Sequence, residues 1–405
     1  MRATRLAAFL PVNIIHMQVR KNYLLFFGIL LFAACKKDSG TTTTTGDPVD
    51  DCTIQLNPLN GTIINGRYII AMKDASNMRA MSAGDLARYS GSLLERNNIR
   101  SSAMLQSFGG EPSGFIASLS PDEAGRLRRD AGISLVEPDR IVALGDCFTV
   151  VQPSLVTWNV TRVGYGDGTG KTAWVIDTGI DFTHPDLTID TIKSRSFLDG
   201  IPSANDENGH GTHVAGIIGA KNNNIGTLGV ASGATLISLR VLDKDGVGNA
   251  GGIIQALAYV NAHAKAGDVV NLSSGGDSTS AILDQQILNT AAKGIFITIA
   301  AGNEGKPASN YSPGRVNGTN IYTISAVDSL DNFASFSNYG NDAVDYAAPG
   351  VRVISEWIGG QYARASGTSM AAPHVAGLLL LSGKIKSSGT AKNDPDGTAD
   401  LIAHQ

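Results

Sequence analysis

The 405 residues predict an α/β protein, built on a parallel sheet with helices on both faces and preceded by a small α+β domain. From Thr172 onward, apolar runs of strand length (TAWVID, ATLISLRVL, DVVNLS, GIFITIA, IYTISAV) alternate with longer helical segments. Strands apolar on both faces belong to parallel sheets covered twice. Between residues 66 and 144 the elements are shorter and run strand, helix, strand, helix, strand, which suits a small split α/β sandwich. Composition agrees: 42% hydrophobic residues, 17% charged residues and 47 glycines describe a folded, loop-rich chain. A formal charge of −4 and no basic stripe give no electrostatic footprint for nucleic acid, so none is expected as a partner.

Taken in order, residues 1–34 read as a signal peptide: RKNYLLFFGILLFAACKK sets a basic pair before an apolar run too short for a confident membrane span. Met17 opens a conventional signal peptide of its own, so residues 1–16 read as an upstream extension from a misassigned start. Residues 35–65 begin with the polar tract KKDSGTTTTTGDPVDD, a tether without an apolar period. In residues 66–146, GRYIIAMK and GFIASLS read as strands and SAGDLARYSGSLLER as a helix with leucines on one face. SPDEAGRLRRD opens with a capping-box pattern, and ISLVEPDRIVAL reads as two short strands. Residues 147–405 hold the larger domain, with helices in HGTHVAGIIGA, AGGIIQALAYVNAHAKAG and ILDQQILNTAAKG. Ligands of such sheets bind beyond the carboxyl ends of the strands.

Three segments put reactive side chains at such ends. AWVIDTGI sets Asp177 where a buried strand stops; DENGHGTHVAG sets His210 at the start of a helix whose Val214, Ile217 and Ile218 face inward. SGTSMAAPHVAG sets Ser369 after a Gly-Thr turn, ahead of a helix whose first turn is read as accommodating Pro373. A helix start favours developing negative charge, which suits a nucleophile. Taken singly, Ser369 reads first as a helix cap and Asp177 as a cap of the next element. His210 and His213 do not make a zinc pair, because the adjacent glutamate and a third ligand are missing. Together, Asp, His and Ser supply an orienter, a general base and a nucleophile for acyl transfer.

The motifs VIDTGI, HGTHVAG and GTSMAAPHVAG, in that order, closely resemble the three signatures of the subtilisin-like serine proteases, and the likeness runs from about Thr157 to the C-terminus. The resemblance implies a subtilisin-like catalytic domain in which Asp177 orients His210, His210 takes the proton of Ser369, and Ser369 attacks a peptide carbonyl. It also implies that Asn303 of AAGNEG, alone a turn residue, donates into the oxyanion hole. Gly246, Val247 and Gly248, and Ser273, Ser274 and Gly275, would be two backbone edges that take substrate by strand addition. No acidic cluster is evident at the first pocket, and His213 and His374 read as structural. By the same resemblance, Asp186, Asn223, the carbonyls of Lys221, Ile225 and Thr227, and Gln152 form a structural calcium site. Asn-rich turns without metal are the alternative, and no catalytic metal is expected.

Residues 66–144 resemble the family's inhibitor-like propeptide, with VEPDRIVAL leading toward the active site and cleavage falling between Leu144 and Thr157. LFAAC resembles a lipoprotein lipobox with Phe32 in place of leucine, making Cys35 a lipidated N-terminus; an ordinary cleaved signal is the alternative. Cys52 and Cys147 then remain, bridged or unpaired. The whole predicts a secreted, lipid-anchored, monomeric serine endopeptidase of the bacterial cell envelope, made as an autoprocessed zymogen. Its partners would be polypeptide substrates, its own propeptide and the membrane through Cys35. The competing reading is a catalytically inactive surface binding or scaffold protein on the same fold.

Overall fold

The computed structural model describes residues 54, 56–73, 81–145, 147–150 and 155–405. The stretch read as a signal peptide, residues 1–34, lies outside them, as do Cys35, Cys52 and Gln152. Among the described residues, no helix is long and apolar enough to cross a membrane.

The N-terminal part runs β1 (Ile63–Met72), α1 (Ala83–Arg96), β2 (Met104–Phe108), β3 (Gly114–Ser118), α2 (Pro121–Leu127) and β4 (Ile133–Ala143). Ser82 caps α1 by accepting from the Asp85 amide at 3.2 Å. Ser120 and Glu123 close the expected capping box on α2. The described order departs from the sequence reading twice. The strand β2 was not anticipated, because MLQSF is short and its burial pattern does not alternate cleanly. The anticipated pair of strands in ISLVEPDRIVAL is one strand, β4, which runs through Pro138. A register break between Ile63 and Tyr68 of β1 lies beside that proline, where β4 lacks a ladder donor.

After β5 (Cys147–Val150) the larger part begins. Its main elements are β6 (Thr172–Asp177), α3 (His210–Gly219), β7 (Thr235–Arg240), β8 (Val247–Asn249), α4 (Ala250–His263), β9 (Val269–Leu272), α5 (Ala281–Ala291), β10 (Phe296–Ala300) and β11 (Ile321–Val327). There follow β12 (Tyr346–Pro349), β13 (Val353–Trp357), β14 (Gln361–Ser366), α6 (Thr368–Ser382), β15 (Lys386–Thr390) and β16 (Leu401–His404). The central sheet runs β15-β16-β12-β11-β10-β9-β6-β7, with a two-residue strand at Thr188–Ile189 beyond β7. From β7 to β12 every pairing is parallel. Only the β15–β16 pair is antiparallel, a strand added to the edge by a C-terminal tail in which the sequence showed no clear element.

Alternation along β6 divides the core: Ala173 and Val175 pack with α3 and α6, and Trp174 and Ile176 with α4 and α5. Helix α6 is buried from Thr368 through Leu380, which explains why its sequence shows almost no amphipathic stripe. The chain passes from β6 to β7 on one side and returns to β9 on the other. The carboxyl end of β6 is therefore the switch point at which an open α/β sheet leaves a crevice.

Candidate active site

Asp177 ends β6 at that switch point and is fully buried. Its Oδ1 accepts the His210 Nδ1 proton at 2.7 Å and the Thr178 amide at 2.7 Å. The proton at Nδ1 makes Nε2 the basic nitrogen of the neutral ring. The start of α3 is pinned to β6 by Asp206, which the sequence reading missed. Its Oδ1 accepts from the Gly209 amide at 3.0 Å and from Thr178 Oγ1 at 2.9 Å, and its Oδ2 from the Thr212 amide at 3.0 Å. Thr178 Oγ1 in turn accepts from the Gly211 amide at 2.9 Å. Gly211 has no alternative at this seam, because a Cβ there would lie 2.1 Å from the Gly179 carbonyl oxygen.

Ser369 is the second residue of α6 and 5% exposed. Its hydroxyl donates to the Ser273 carbonyl at 2.9 Å, while the Ser273 hydroxyl donates to the Ser369 carbonyl at 2.8 Å. This exchange corrects the placing of Pro373, which lies inside α6 beyond its first turn. A proline there has no N–H for the carbonyl four residues back, which is that of Ser369. Ser273 supplies the missing donor, and it belongs to a segment that lines the cleft.

Asn303 follows β10. Its Oδ1 accepts from the Thr368 amide at 2.8 Å and from Thr368 Oγ1 at 3.0 Å, which fixes the amide's orientation. Its Nδ2 therefore faces the cleft, and there it donates to the carbonyl oxygen of Gly145 at 2.6 Å. One cleft is lined by Ala143, Leu144, Gly145, Asn303 and Ser369.

The two anticipated substrate edges differ. Val247 and Gly248 of β8 pair antiparallel with Ala143 and Val142 of β4, and the Gly246 carbonyl accepts from the Leu144 amide at 3.1 Å. Ser273, Ser274 and Gly275 line the cleft but form no ladder with β4. The Ala143 amide goes instead to Asn60 Oδ1 at 3.0 Å. The sequence also missed Glu304 in the cleft wall, where burial raises its carboxyl above the ordinary range and Asn338 Nδ2 donates to it at 2.7 Å. His213 and His374 are fully buried. The His213 ring lies at 3.2 Å and 3.1 Å from the Val353 and Ala363 carbonyls, and the His374 ring at 2.8 Å from that of Met370. Desolvation holds His213 down to about 3 and His374 to about 4.

At the far end of α3, Asp186 Oδ1 accepts from Asn223 Nδ2 at 2.6 Å, and its Oδ2 is buried with no donor. Burial and the neighbouring charge of Glu356 raise the Asp186 carboxyl to about 7. Glu356, fully buried at the end of β13, accepts from the Thr227 amide at 3.1 Å and from Ser355 Oγ at 2.9 Å. Sequence reasoning missed it, since it lies 170 positions from Asp186. Lys221 Nζ donates to the Pro185 carbonyl at 2.9 Å, and the exposed Ile225 gives its amide to Asn223 Oδ1 at 2.8 Å.

Residues 168–393, more than half of the chain, match the model of the Subtilase family, Peptidase S8. The chain belongs to the subtilase family. It is thereby a serine protease by class. Residues 67–145 match the Peptidase inhibitor I9 model, so this subtilase carries an inhibitor-type propeptide ahead of its protease part. It is 36% identical to the alkaline serine exoprotease A of Vibrio alginolyticus over 332 residues, 78% of this chain and 60% of the Vibrio protein. It is 34% identical to the alkaline serine protease ver112 of Corniculantispora psalliotae over 372 residues, 84% of this chain and 90% of that protein. A crystal structure of a cold adapted subtilisin-like serine proteinase superposes on 62% of this chain and 98% of its own, with a TM-score of 0.54 and 33% identity.

Proposed function

We propose that this subtilase is a secreted serine endopeptidase, made as a zymogen and held at the bacterial cell envelope by lipid on Cys35. The observation that carries the catalytic reading is the Asn303 side-chain amide on a peptide carbonyl, that of Gly145, in the cleft that holds Ser369. His210, oriented by Asp177, takes the Ser369 proton on Nε2 once the hydroxyl leaves the Ser273 carbonyl. Ser369 Oγ adds to the substrate carbonyl, and the oxygen that gains charge is met by Asn303 Nδ2 and by the backbone at the positive start of α6. The proton on His210 then passes to the leaving amine. Polypeptide substrates enter as extended strands on β8, with Ser273, Ser274 and Gly275 as the facing wall. An inactive scaffold has no need of this arrangement, and no observation favours that reading.

Calcium has a structural role in the proposal. The buried Asp186 oxygen without a donor, the Glu356 carboxylate beside it and Asn223 would offer hard oxygen ligands of the kind a divalent cation takes. Backbone carbonyls of Lys221, Ile225 and Thr227, with Gln152, would complete the set. A bound divalent ion supplies charge neutralisation there and takes no part in peptide-bond chemistry. Casein digestion by wild type and by Ser369→Ala tests the catalytic reading: wild type digests and the variant does not. Digestion by a folded Ser369→Ala chain would overturn it. Globomycin-sensitive processing and loss of membrane association in Cys35→Ser test the anchor.

A further inference from the structure

We propose that the turn of residues 57–62 is a latch that prolongs the stay of the β4 tail in the Ser369 cleft, by taking contacts that the facing wall would give a substrate. The inference rests on the protease reading above and adds a regulatory element to it.

A strand offers its backbone groups alternately to its two neighbours. At the end of β4, Val142 lies opposite Gly248 of β8, and the Leu144 amide bonds the Gly246 carbonyl at 3.1 Å. Ile141 and Ala143 offer theirs to the other side, where a strand held on β8 would meet the wall of Ser273, Ser274 and Gly275. That wall forms no ladder with β4. Residues 57–62 stand in its place. The Gly61 amide donates to the Ile141 carbonyl at 2.9 Å, the Ile141 amide to the Thr62 carbonyl at 2.9 Å, and the Ala143 amide to Asn60 Oδ1 at 3.0 Å. Arg140 Nη1 adds a bond to the Gly61 carbonyl at 2.7 Å.

The turn is shaped for this position. The Leu59 amide bonds Asn57 Oδ1 at 3.0 Å, and the Asn60 and Thr62 amides bond the Asn57 and Leu59 carbonyls at 3.1 Å and 3.0 Å. Gly61 has φ +77°, and a Cβ there would lie 2.8 Å from the carbonyl oxygen of Asp277, two residues beyond Gly275. Only glycine lets the turn close against that wall. Asn60 lines the cleft together with Ser274, Gly275 and Ser369. The turn precedes the inhibitor-type module of residues 67–145, so it is an addition to that module. A polypeptide substrate carries no such turn and has to find its second edge on the wall. The β4 tail brings its second edge with it, already folded, which lowers the cost of ordering the tail in the cleft.

The test uses the full chain as wild type, Asn60→Ala and Gly61→Val, each made also in the Ser369→Ala background. Hydrogen–deuterium exchange of the peptide carrying Ile141 and Ala143 is read in the Ser369→Ala chains, and the delay before casein digestion in the active ones. Both variants should exchange that peptide about fivefold faster or more, with β1 and β3 unchanged, and should shorten the delay by a similar factor. Wild-type exchange and delay in both variants would overturn the latch and leave the protease reading standing. A shorter delay with unchanged exchange would overturn it as well, and so would faster exchange throughout β1 and β3, which would make the turn a support of the propeptide fold. Failure of the wild type to digest casein at any time would remove the protease reading and the inhibitory role with it, whatever the exchange shows.

Discussion

The proposed role of Asn303 rests on how its side-chain amide is held. Thr368 takes its oxygen through two donors, so its nitrogen has only the cleft to face. Asn303→Ala is therefore expected to lower kcat on a peptide substrate by about a hundredfold with KM nearly unchanged, since the bond matters most as charge develops. Steady-state kinetics on matured enzyme checks this. Asp400 offers a pH prediction at the same scale. It is 5% exposed, accepts from Ser325 Oγ at 2.5 Å, and is raised to about 7 by burial, with Asp394, Asp396 and Asp345 adding repulsion. A carboxyl raised in the folded state contributes stability below its unfolded value, and that contribution is lost as pH rises through about 7. Asp400→Asn should thus melt near wild type at pH about 4 and about 2–4 °C above it at pH about 8, measured in the Ser369→Ala background. Asp177, His210 and Ser369 were legible in sequence because each sits at a strand end or helix start marked by glycine and small residues. Asp206 and Glu356 were not, because their partners come from distant segments that only the fold brings together.

At the scale of elements, the junction of β6 with α3 is the most constrained. Gly211→Ala would drive a Cβ into the Gly179 carbonyl at 2.1 Å and within 3.1 Å of Asp177 Cβ. The start of α3 must then retreat from β6 and lengthen the 2.7 Å bond between His210 and Asp177. The expected cost is about a hundredfold in kcat/KM together with a lower melting temperature, the size of effect that an ångström of misplacement produces. Activity equal to wild type would show that the seam has slack. Helix α6 teaches a related lesson. Its proline was read into the first turn from the sequence because its true place requires a donor from elsewhere, and Ser273, 96 positions before Ser369, provides it. Ser273→Ala removes that donor and leaves the Ser369 carbonyl short of a hydrogen bond, with an expected loss of about 1–3 kcal/mol in stability by thermal or denaturant unfolding. The parallel strands β6, β7, β9, β10 and β11 were legible as continuous apolar runs. The short β12, β13 and β14 were not, since YAAP and QYARAS carry no such run.

At the scale of the molecule, the propeptide part docks through one sheet and two helix starts. Strand β4 is shared between the propeptide sheet and β8. Asp139 Oδ1 accepts from the Gly251 amide at 3.1 Å near the start of α4 while its Oδ2 holds Arg67 at 2.7 Å, and Glu137 accepts from Ser280, the cap of α5. Asp139→Ala would leave the mostly buried Arg67 guanidinium and the Gly251 amide without this carboxylate. The expected result is a propeptide that inhibits the matured enzyme at least tenfold more weakly, measured as a shorter delay before casein digestion begins. Chelation should act at the opposite end of α3: removing calcium should lower the melting temperature of wild type and leave Asp186→Ala unaffected. The two-part organisation was legible in the change of element length near residue 145, whereas the pairing of β4 with β8 was not legible in VGN itself, which entered the sequence reading as a backbone edge only through the family resemblance.

The C-terminal strand β16 covers the β12 edge of the central sheet, with Ile402 opposite Ala347 and the Gln405 amide bonded to the Val163 carbonyl at 2.9 Å. Its consequence is colloidal. A chain shortened by five residues would keep its catalytic groups yet bare the β12 edge and the apolar surface now covered by the fully buried Ile402 and Ala403. An uncovered edge is a template for pairing with a second chain, so the truncated protein should cleave peptides when freshly diluted and turn cloudy when concentrated.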